Sequence, residues 1–281
     1  MARLTQAQLG GFRRDGFVLV PGVVPRALVE AAAQAILGFV GADLGRPDTW
    51  YRADPRAFNV VPLHHPQAFW DVRQHPALHE VFAAITGTER LWVTMDRGRF
   101  KPPRSKAHPH DDDNRIHWDV DPRKPESRAL LQGLVYLSDA PEGLGPFECV
   151  PSLFRELPAW LERNEVNEAL QPDLDGREVV QVPGRAGDLV VWRAWLPHDG
   201  APNLGTRPRL SLSVAMGPEG SEAERQERVQ LWAERRAPQC WRGWPTQLDP
   251  EPGHPAELTG LGRRLLGLDR WPDQMLHDRV K

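Results

Sequence analysis

Seven short apolar stretches follow one another between residues 90 and 216, with turn formers between them. They are RLWVTMD (90–96), RIHWDV (115–120), ALLQGLVYLSD (129–139), PFECV (146–150), REVVQV (177–182), DLVVWRA (188–194) and RLSLSVAM (209–216). Runs of this kind, rich in β-branched and aromatic residues and bounded by Gly, Pro and Asp, read as β-strands. EGLG, DG and PGRAGD supply turns between them. The 28 prolines of the 281-residue chain act in the same direction, because proline interrupts helices and sheet ladders alike. One segment inside this region, FRELPAWLERNEV (154–166), has a helical pattern.

Helical patterns lie on either side. Thr5 and Gln8 fit a capping box that opens a first short helix. GFVLVPG (16–22) reads as a brief strand, PRALVEAAAQAILGFV (25–40) as a Pro-started helix and PALHEVFAAITG (76–87) as a helix closed by glycine. Residues 43–75 mix Pro with aromatics and read as irregular. EAERQERVQLWAERR and LTGLGRRLLGLDRW return the tail to helix. The order predicts a mainly β fold with flanking helices (α+β) in one domain spanning 1–281. Its jelly-roll or barrel core lies at 90–217, after a helical N-terminal region (1–89) and before a helical C-terminal extension (218–281).

Composition removes several function classes. A net charge of -3 leaves no basic footprint for nucleic acid. The preponderance of Arg over Lys is read as genomic base composition. The longest apolar run, AAAQAILGFVGA (31–42), is too short to span a bilayer. MARLTQAQLGGFRRDG lacks the apolar centre of a signal peptide. Cys149 and Cys240 make neither a disulfide framework nor a metal-type spacing. A soluble cytoplasmic protein is expected.

In a strand over IHWDVD, His117, Asp119 and Asp121 share one face, and Ile116, Trp118 and Val120 the other. Asp121 precedes Pro122 and reads as a turn cap. His198 stands 81 residues after His117, just past a strand, in a Pro/Gly-bounded loop. Two neutral imidazoles and one carboxylate on one face of a metal make the facial triad of non-haem Fe(II) oxygenases, with positions left open for chemistry. A closed structural zinc site takes four protein ligands instead. Arg209 follows His198 by eleven residues, and Ser211 shares its strand face. A guanidinium fork matches a carboxylate bidentately, and a hydroxyl two residues on adds a hydrogen bond. A keto acid that chelates the metal at one end and meets Arg209 at the other fits this arrangement, and 2-oxoglutarate is that molecule. Arg207, the rival, precedes Pro208 and reads as extended and outside the strand.

H-x-D alone is a weak signal, and a surface edge is its simplest reading in isolation. Taken with the distant His and Arg, the chain resembles the phytanoyl-CoA dioxygenase family of Fe(II)/2-oxoglutarate-dependent oxygenases. The resemblance rests on LTQAQLGGFRRDGFVLVPGVVPRALVEAAAQAI, RFKPP, IHWD, GPFECVPSLF, AGDLVVW, HDGAPN and RPRLSLSV, and covers about residues 3–217. It implies a double-stranded β-helix, a jelly-roll variant related to cupins. It makes His117, Asp119 and His198 the iron ligands and Arg209 the grip on the distal carboxylate of 2-oxoglutarate. It implies a reaction with O2 that releases succinate and CO2 and hydroxylates an unactivated C–H bond. Halogenases of this type carry a small residue where Asp119 stands, so hydroxylation is favoured. Two positions depart from the family. Pro151, Ser152, Leu153 and Phe154 replace its common Pro-Gly-Ser-His, and Gly200 replaces a Ser two residues after the second His. Cosubstrate contacts are therefore sought at Ser211, Thr94 and Gln132.

Other features are read more plainly. AHPHDDDNR (107–115), with His108 and His110, is a solvated loop and a candidate lid over the site rather than a second metal centre. Trp118, Trp192, Trp195, Trp232, Trp241, Trp244 and Trp271 are read as packing, and Cys149 as a small buried residue. Arg104, Lys106 and Arg123 are too scattered for a CoA phosphate site. A small free metabolite is the expected substrate. A cupin-like metal-dependent isomerase or lyase, and a non-catalytic metal sensor, are the alternative readings.

Overall fold

The computed structural model describes residues 4–51, 60–105, 116–124, 130–238 and 253–272. Helix α1 (Gln6–Asp15) opens with the expected capping box. Gln8 N donates to Thr5 Oγ1 at 3.1 Å and Thr5 N to Gln8 Oε1 at 2.9 Å. It ends on Gly16 at φ 81, where a Cβ would stand 2.8 Å from the Phe154 ring, so no other residue fits without displacing that ring. Strand β1 (Phe17–Val20), helix α2 (Arg26–Val40), helix α3 (Gln67–Arg73) and helix α4 (Pro76–Thr86) follow. Helix α3 corrects the irregular reading of 43–75. It is seven residues long, and Phe69, Trp70, Val72 and Arg73 are all buried, so it has too few turns and too little exposed face to show a period.

The β region comprises β2 (Leu91–Val93), β3 (Gly98–Lys101), β4 (Leu131–Tyr136), β5 (Phe147–Cys149), β6 (Val180–Val182), β7 (Leu189–Arg193), β8 (His198–Gly200), β9 (Arg209–Ser213) and β10 (Met216–Pro218). Helix α5 (Pro151–Leu161) interrupts it. It starts earlier than the pattern at 154–166 suggests because Pro151 is preorganised for its first turn. Helices α6 (Glu222–Glu234) and α7 (Gly260–Leu266) close the described tail.

One sheet has the order β1-β7-β4-β9-β3, a second β6-β5-β8, and a third pairs β10 with β2, with every pairing antiparallel. The two larger sheets make the jelly-roll core. Strand β7 shows why DLVVWRA lacks alternation. Leu189 and Val191 face the core shared with the helices, while Val190 and Trp192 face the core against β5 and β6. RLSLSVAM is two strands, because the chain leaves β9 at Val214 and re-pairs with β2 from Met216.

The strand expected at 115–120 is not formed among the described residues 116–120. His117 makes an isolated bridge to His198, with His117 N to His198 O at 3.1 Å and His198 N to His117 O at 3.0 Å. The ladder stops there because Trp118 N donates to Leu170 O, and Asp121 turns the chain by accepting from Arg123 N at 2.9 Å. His198 lies in β8 rather than in a loop. Trp118, Trp192 and Trp271 are buried and Trp195 and Trp232 partly so; Trp241, Trp244, Cys240, Lys106 and the 107–115 loop lie outside the described residues. No helix among the described residues is long and apolar enough to cross a membrane.

Beneath the sheet lies a buried polar layer. His64 Nδ1 meets Met95 O at 3.0 Å, His65 Nε2 meets Arg236 O at 2.8 Å, and the fully buried Arg73 donates to His64 O at 2.7 Å. Burial pulls the His64 imidazole down to about 4 and the His65 imidazole down to about 3. Both rings are neutral in the fold but titrate near 6.5 once unfolded. Their contribution is therefore complete above pH 6.5 and declines as the pH falls toward the folded values. Denaturant unfolding should show a loss of roughly 2 to 3 kcal/mol between pH 7.0 and 5.5 from this pair. Stability independent of pH across that window would contradict it.

Candidate metal centre

The His117–His198 bridge fixes two imidazoles side by side, their ring centroids 5.1 Å apart. Asp119 follows in the bend and turns its carboxylate between them. Oδ1 lies 3.4 Å from His117 Nε2, and Oδ2 lies 3.5 Å from His198 Nε2. All three donor atoms lie within 4.8 Å of one another, and this is the one such cluster among the described residues. Metal–donor bonds of about 2.1 Å place adjacent donors about 3 Å apart, so a small inward adjustment seats one ion.

The donor chemistry fits ferrous iron. His198 Nδ1 lies 2.8 Å from Leu196 O. A carbonyl only accepts, so Nδ1 carries the proton and Nε2 presents a lone pair toward Asp119. Phe147 and Trp192 pack on the His198 ring, with centroids at 5.8 and 5.0 Å. Burial pushes the Asp119 carboxyl up, but the neighbouring His117 and the Gln132 amide act against it and hold the group below the usual carboxylate range. Two imidazoles and one ionised carboxylate on one side of an ion suit iron and leave the other side open.

Gln132, on β4, is placed by the structure on Asp119. Its Nε2 donates to Asp119 Oδ2, and its Oε1 accepts from Trp192 Nε1 at 2.9 Å. The amide is thus fixed at both ends and orients the carboxylate. Gln132→Leu should weaken Fe(II) binding about 10–100-fold, the usual effect of losing a partner of a metal ligand. Competition with a metallochromic chelator measures this, and an unchanged affinity would refute the orienting role.

A cavity of about 350 Å³ opens beside the triad, and Thr94, Arg97, Arg99, Gln132, Arg209 and Ser213 are in its wall. Arg209, at the start of β9, is 7% exposed. Its Nε donates to Gly145 O at 2.8 Å and its Nη1 to Ser211 Oγ at 2.6 Å. Ser211 is fully buried, and the contact it makes is with Arg209, not with the cavity. Thr94 is exposed in the cavity wall and its Oγ1 accepts from Ala215 N at 2.9 Å. Arg207 is exposed on the approach to β9.

Both departures from the family pattern have a physical reading. A Cβ on Gly200 would lie 3.1 Å from Arg209 Nη2, so glycine leaves room for the guanidinium. Leu153 and Phe154 are core residues of α5, with the Phe154 ring stacked 4.3 Å from that of Trp195.

Sequence reasoning missed Lys101, Arg97 and Arg99. Lys101 pairs with Arg209 across the strands, is 1% exposed, and donates from Nζ to Gly200 O at 2.7 Å. RGRFK looks like a solvated loop by composition. Gly98–Lys101 is a strand, with Arg99 and the preceding Arg97 in the cavity wall and Lys101 buried, and its sequence signal is the alternation of Arg97, Arg99 and Lys101. Arg123 is held by Asp121 at 2.7 Å, which removes it from any phosphate site.

Residues 12–211 match the family model for phytanoyl-CoA dioxygenase. No curated protein matches the chain significantly. Among solved structures, the chain is similar to GlcNAc Inducible Gene 2 from Candida albicans, with a TM-score of 0.69 and 16% identity over 98% of this chain and 79% of that one. It is similar to the epimerase SnoN, solved with Fe3+, alpha-ketoglutarate and nogalamycin RO, with a TM-score of 0.51 and 21% identity over 91% and 95%. It is also similar to SnoK, an alpha-ketoglutarate-dependent carbocyclase from nogalamycin biosynthesis, with a TM-score of 0.51 and 20% identity over 89% and 94%. At these identities the likeness is one of fold.

Proposed function

The chain belongs to the phytanoyl-CoA dioxygenase family, a non-haem iron and 2-oxoglutarate enzyme class, and from that premise we propose that its reaction is hydroxylation of a small-molecule metabolite with release of succinate and CO2. One observation carries the reading. Two imidazoles and a carboxylate converge beside a cavity whose wall also holds a buried guanidinium.

His117, Asp119 and His198 hold the iron. Bound there with 2-oxoglutarate and O2, iron supplies the oxidising power for an unactivated C–H bond. The remaining work belongs to the chain. Arg209 receives the distal carboxylate of 2-oxoglutarate in a site that Ser211 and Gly145 have already oriented, so little rotamer entropy is lost on binding. Gln132 keeps the Asp119 carboxylate turned to the ion. Phe147, Trp192 and Leu134 keep the cavity wall apolar near His198, which limits water at the reacting centre. Asp119 fills the place a halide would need, which supports hydroxylation over halogenation. The guanidinium at Arg209 disfavours a cupin-like isomerase or lyase, which needs no keto-acid clamp, and a sensor, which would form no succinate.

A second reading comes from the neighbours SnoN and SnoK, an epimerase and a carbocyclase by title. On this chain either outcome would use the same ligand set and differ only in the fate of the substrate. The test is made anaerobically first. Fe(II) plus 2-oxoglutarate should give a weak visible charge-transfer band, which zinc cannot produce. Air and a metabolite panel should then yield substrate-stimulated succinate, with the His117→Ala variant as control. A product heavier by one oxygen supports hydroxylation; unchanged mass supports epimerisation, and loss of two hydrogens supports ring closure or desaturation. Stimulation that survives in His117→Ala would sink the assignment.

A further inference from the structure

We propose that the substrate carries an acidic group and that Arg99 receives it. This rests on the oxygenase reading and names the class of molecule its cavity takes. Arg99 stands on β3 opposite Ser211, and its Nε donates to Ser213 Oγ at 3.1 Å. Arg209 instead donates to Ser211 Oγ. The two hydroxyls are two residues apart on one strand, about 7 Å. Each guanidinium is anchored on its own hydroxyl, so the cavity wall presents Arg99 as a cation distinct from Arg209. The dicarboxylate cosubstrate occupies the Arg209 site and the metal. The Arg99 site is left for the other reactant.

The surroundings of Arg99 are rich in donors. Ser213 Oγ accepts from Arg99, and Thr94 Oγ1 accepts from Ala215 N, so each hydroxyl keeps a proton to give. The carboxylates of the cavity are engaged elsewhere. Asp119 faces the two imidazoles and accepts from Gln132. Asp96 accepts from Arg97 N at 2.8 Å and lies 3.8 Å from Arg97 Nε. Asp199 accepts from Gly200 N at 2.7 Å. Among the described residues Arg99 makes no ion pair; its hydrogen bond is to Ser213. A charged fork held by Ser213, in a cavity whose wall also carries the Thr94 hydroxyl, matches an oxyanion, and its planar geometry takes a carboxylate or a phosphate bidentately. Ser213 sets the direction of the fork, which makes it the positioning residue of this site.

Calorimetry of the anaerobic Fe(II)-loaded protein with 2-oxoglutarate present tests the proposal, using sodium acetate, inorganic phosphate and the neutral acetamide as probes. Acetate or phosphate should bind saturably and acetamide should not, and the stronger anion identifies the acid class. Arg99→Gln should weaken that binding at least about tenfold, as loss of a charged hydrogen-bonding partner does. Arg99→Lys should retain part of it, and Ser213→Ala should weaken it severalfold, so the result does not hang on one variant's folding. The affinity of Arg99→Gln for 2-oxoglutarate should stay within about threefold of the parent. Anion binding that is absent, that matches acetamide, or that persists in Arg99→Gln overturns the proposal. So does a large loss of 2-oxoglutarate affinity in that variant, since Arg99 would then serve the cosubstrate. Failure of the parent protein to bind 2-oxoglutarate would instead strike the oxygenase reading, and the same anion titration without 2-oxoglutarate then judges Arg99 alone.

Discussion

Replacing Asp119 by alanine should abolish substrate-stimulated succinate release and weaken Fe(II) binding by more than the roughly 10–100-fold expected for a change outside the ligand set. The carboxylate is the one charged donor of the cluster and sits between the two imidazoles, 3.4 Å from one and 3.5 Å from the other. Without it, two neutral rings 5.1 Å apart must hold a dication alone. Removal also takes the acceptor from the Gln132 amide, which Trp192 fixes from behind. Asp119→Asn separates the two effects. It keeps the volume but loses the charge, and its fold should be intact while the metal is lost. Fe(II) titration with the charge-transfer band as readout decides the matter. An Asp119→Ala protein that binds iron as tightly as its parent would show that the cluster is not the metal site.

The same residues show where sequence reasoning reached its limit. His117, Asp119 and His198 were legible because ligand chemistry restricts residue type and spacing, and the structure brings all three together. The route to them was misread. Alternation over IHWDVD suggested a strand, but the ladder ends after a single bridge because the backbone of Trp118 pairs with Leu170, a partner 52 positions away that no local pattern announces. Ser211 was correctly placed on the face of Arg209, yet sharing a face does not say which group takes the hydrogen bond; here it is the arginine itself. Gln132 was sought as a cosubstrate contact and lies on Asp119. Arg99 in the cavity wall and the buried Lys101 were invisible because inward-facing cations have the composition of a surface loop. Strand β7 was the easiest element to read, since a strand buried on both faces is apolar throughout.

Arg209→Leu should cost 2-oxoglutarate about 10²–10⁴-fold in affinity while leaving Fe(II) affinity near that of the parent. The guanidinium is buried at 7% exposure and its Nε and Nη1 are already committed to Gly145 O and Ser211 Oγ. Its Nη2 edge lies beside Gly200, in the wall of the cavity that the cosubstrate would enter. Removing one partner of a buried charge pair costs about 3–5 kcal/mol, because the surviving charge has no solvent to replace it. The substitution also orphans a buried carbonyl and a buried hydroxyl, so some loss of stability accompanies it. Arg209→Lys discriminates between charge and shape. An ammonium restores the charge but cannot donate to Gly145, Ser211 and a carboxylate in the same planar arrangement, so it should recover only a minor part of the affinity. Titrating the charge-transfer band with 2-oxoglutarate at fixed Fe(II), and with Fe(II) at fixed 2-oxoglutarate, gives the two constants. If Arg209→Leu bound 2-oxoglutarate normally, the cosubstrate would have to be held by another cation of the cavity wall, such as Arg99, and the assignment of the two reactants would be reversed.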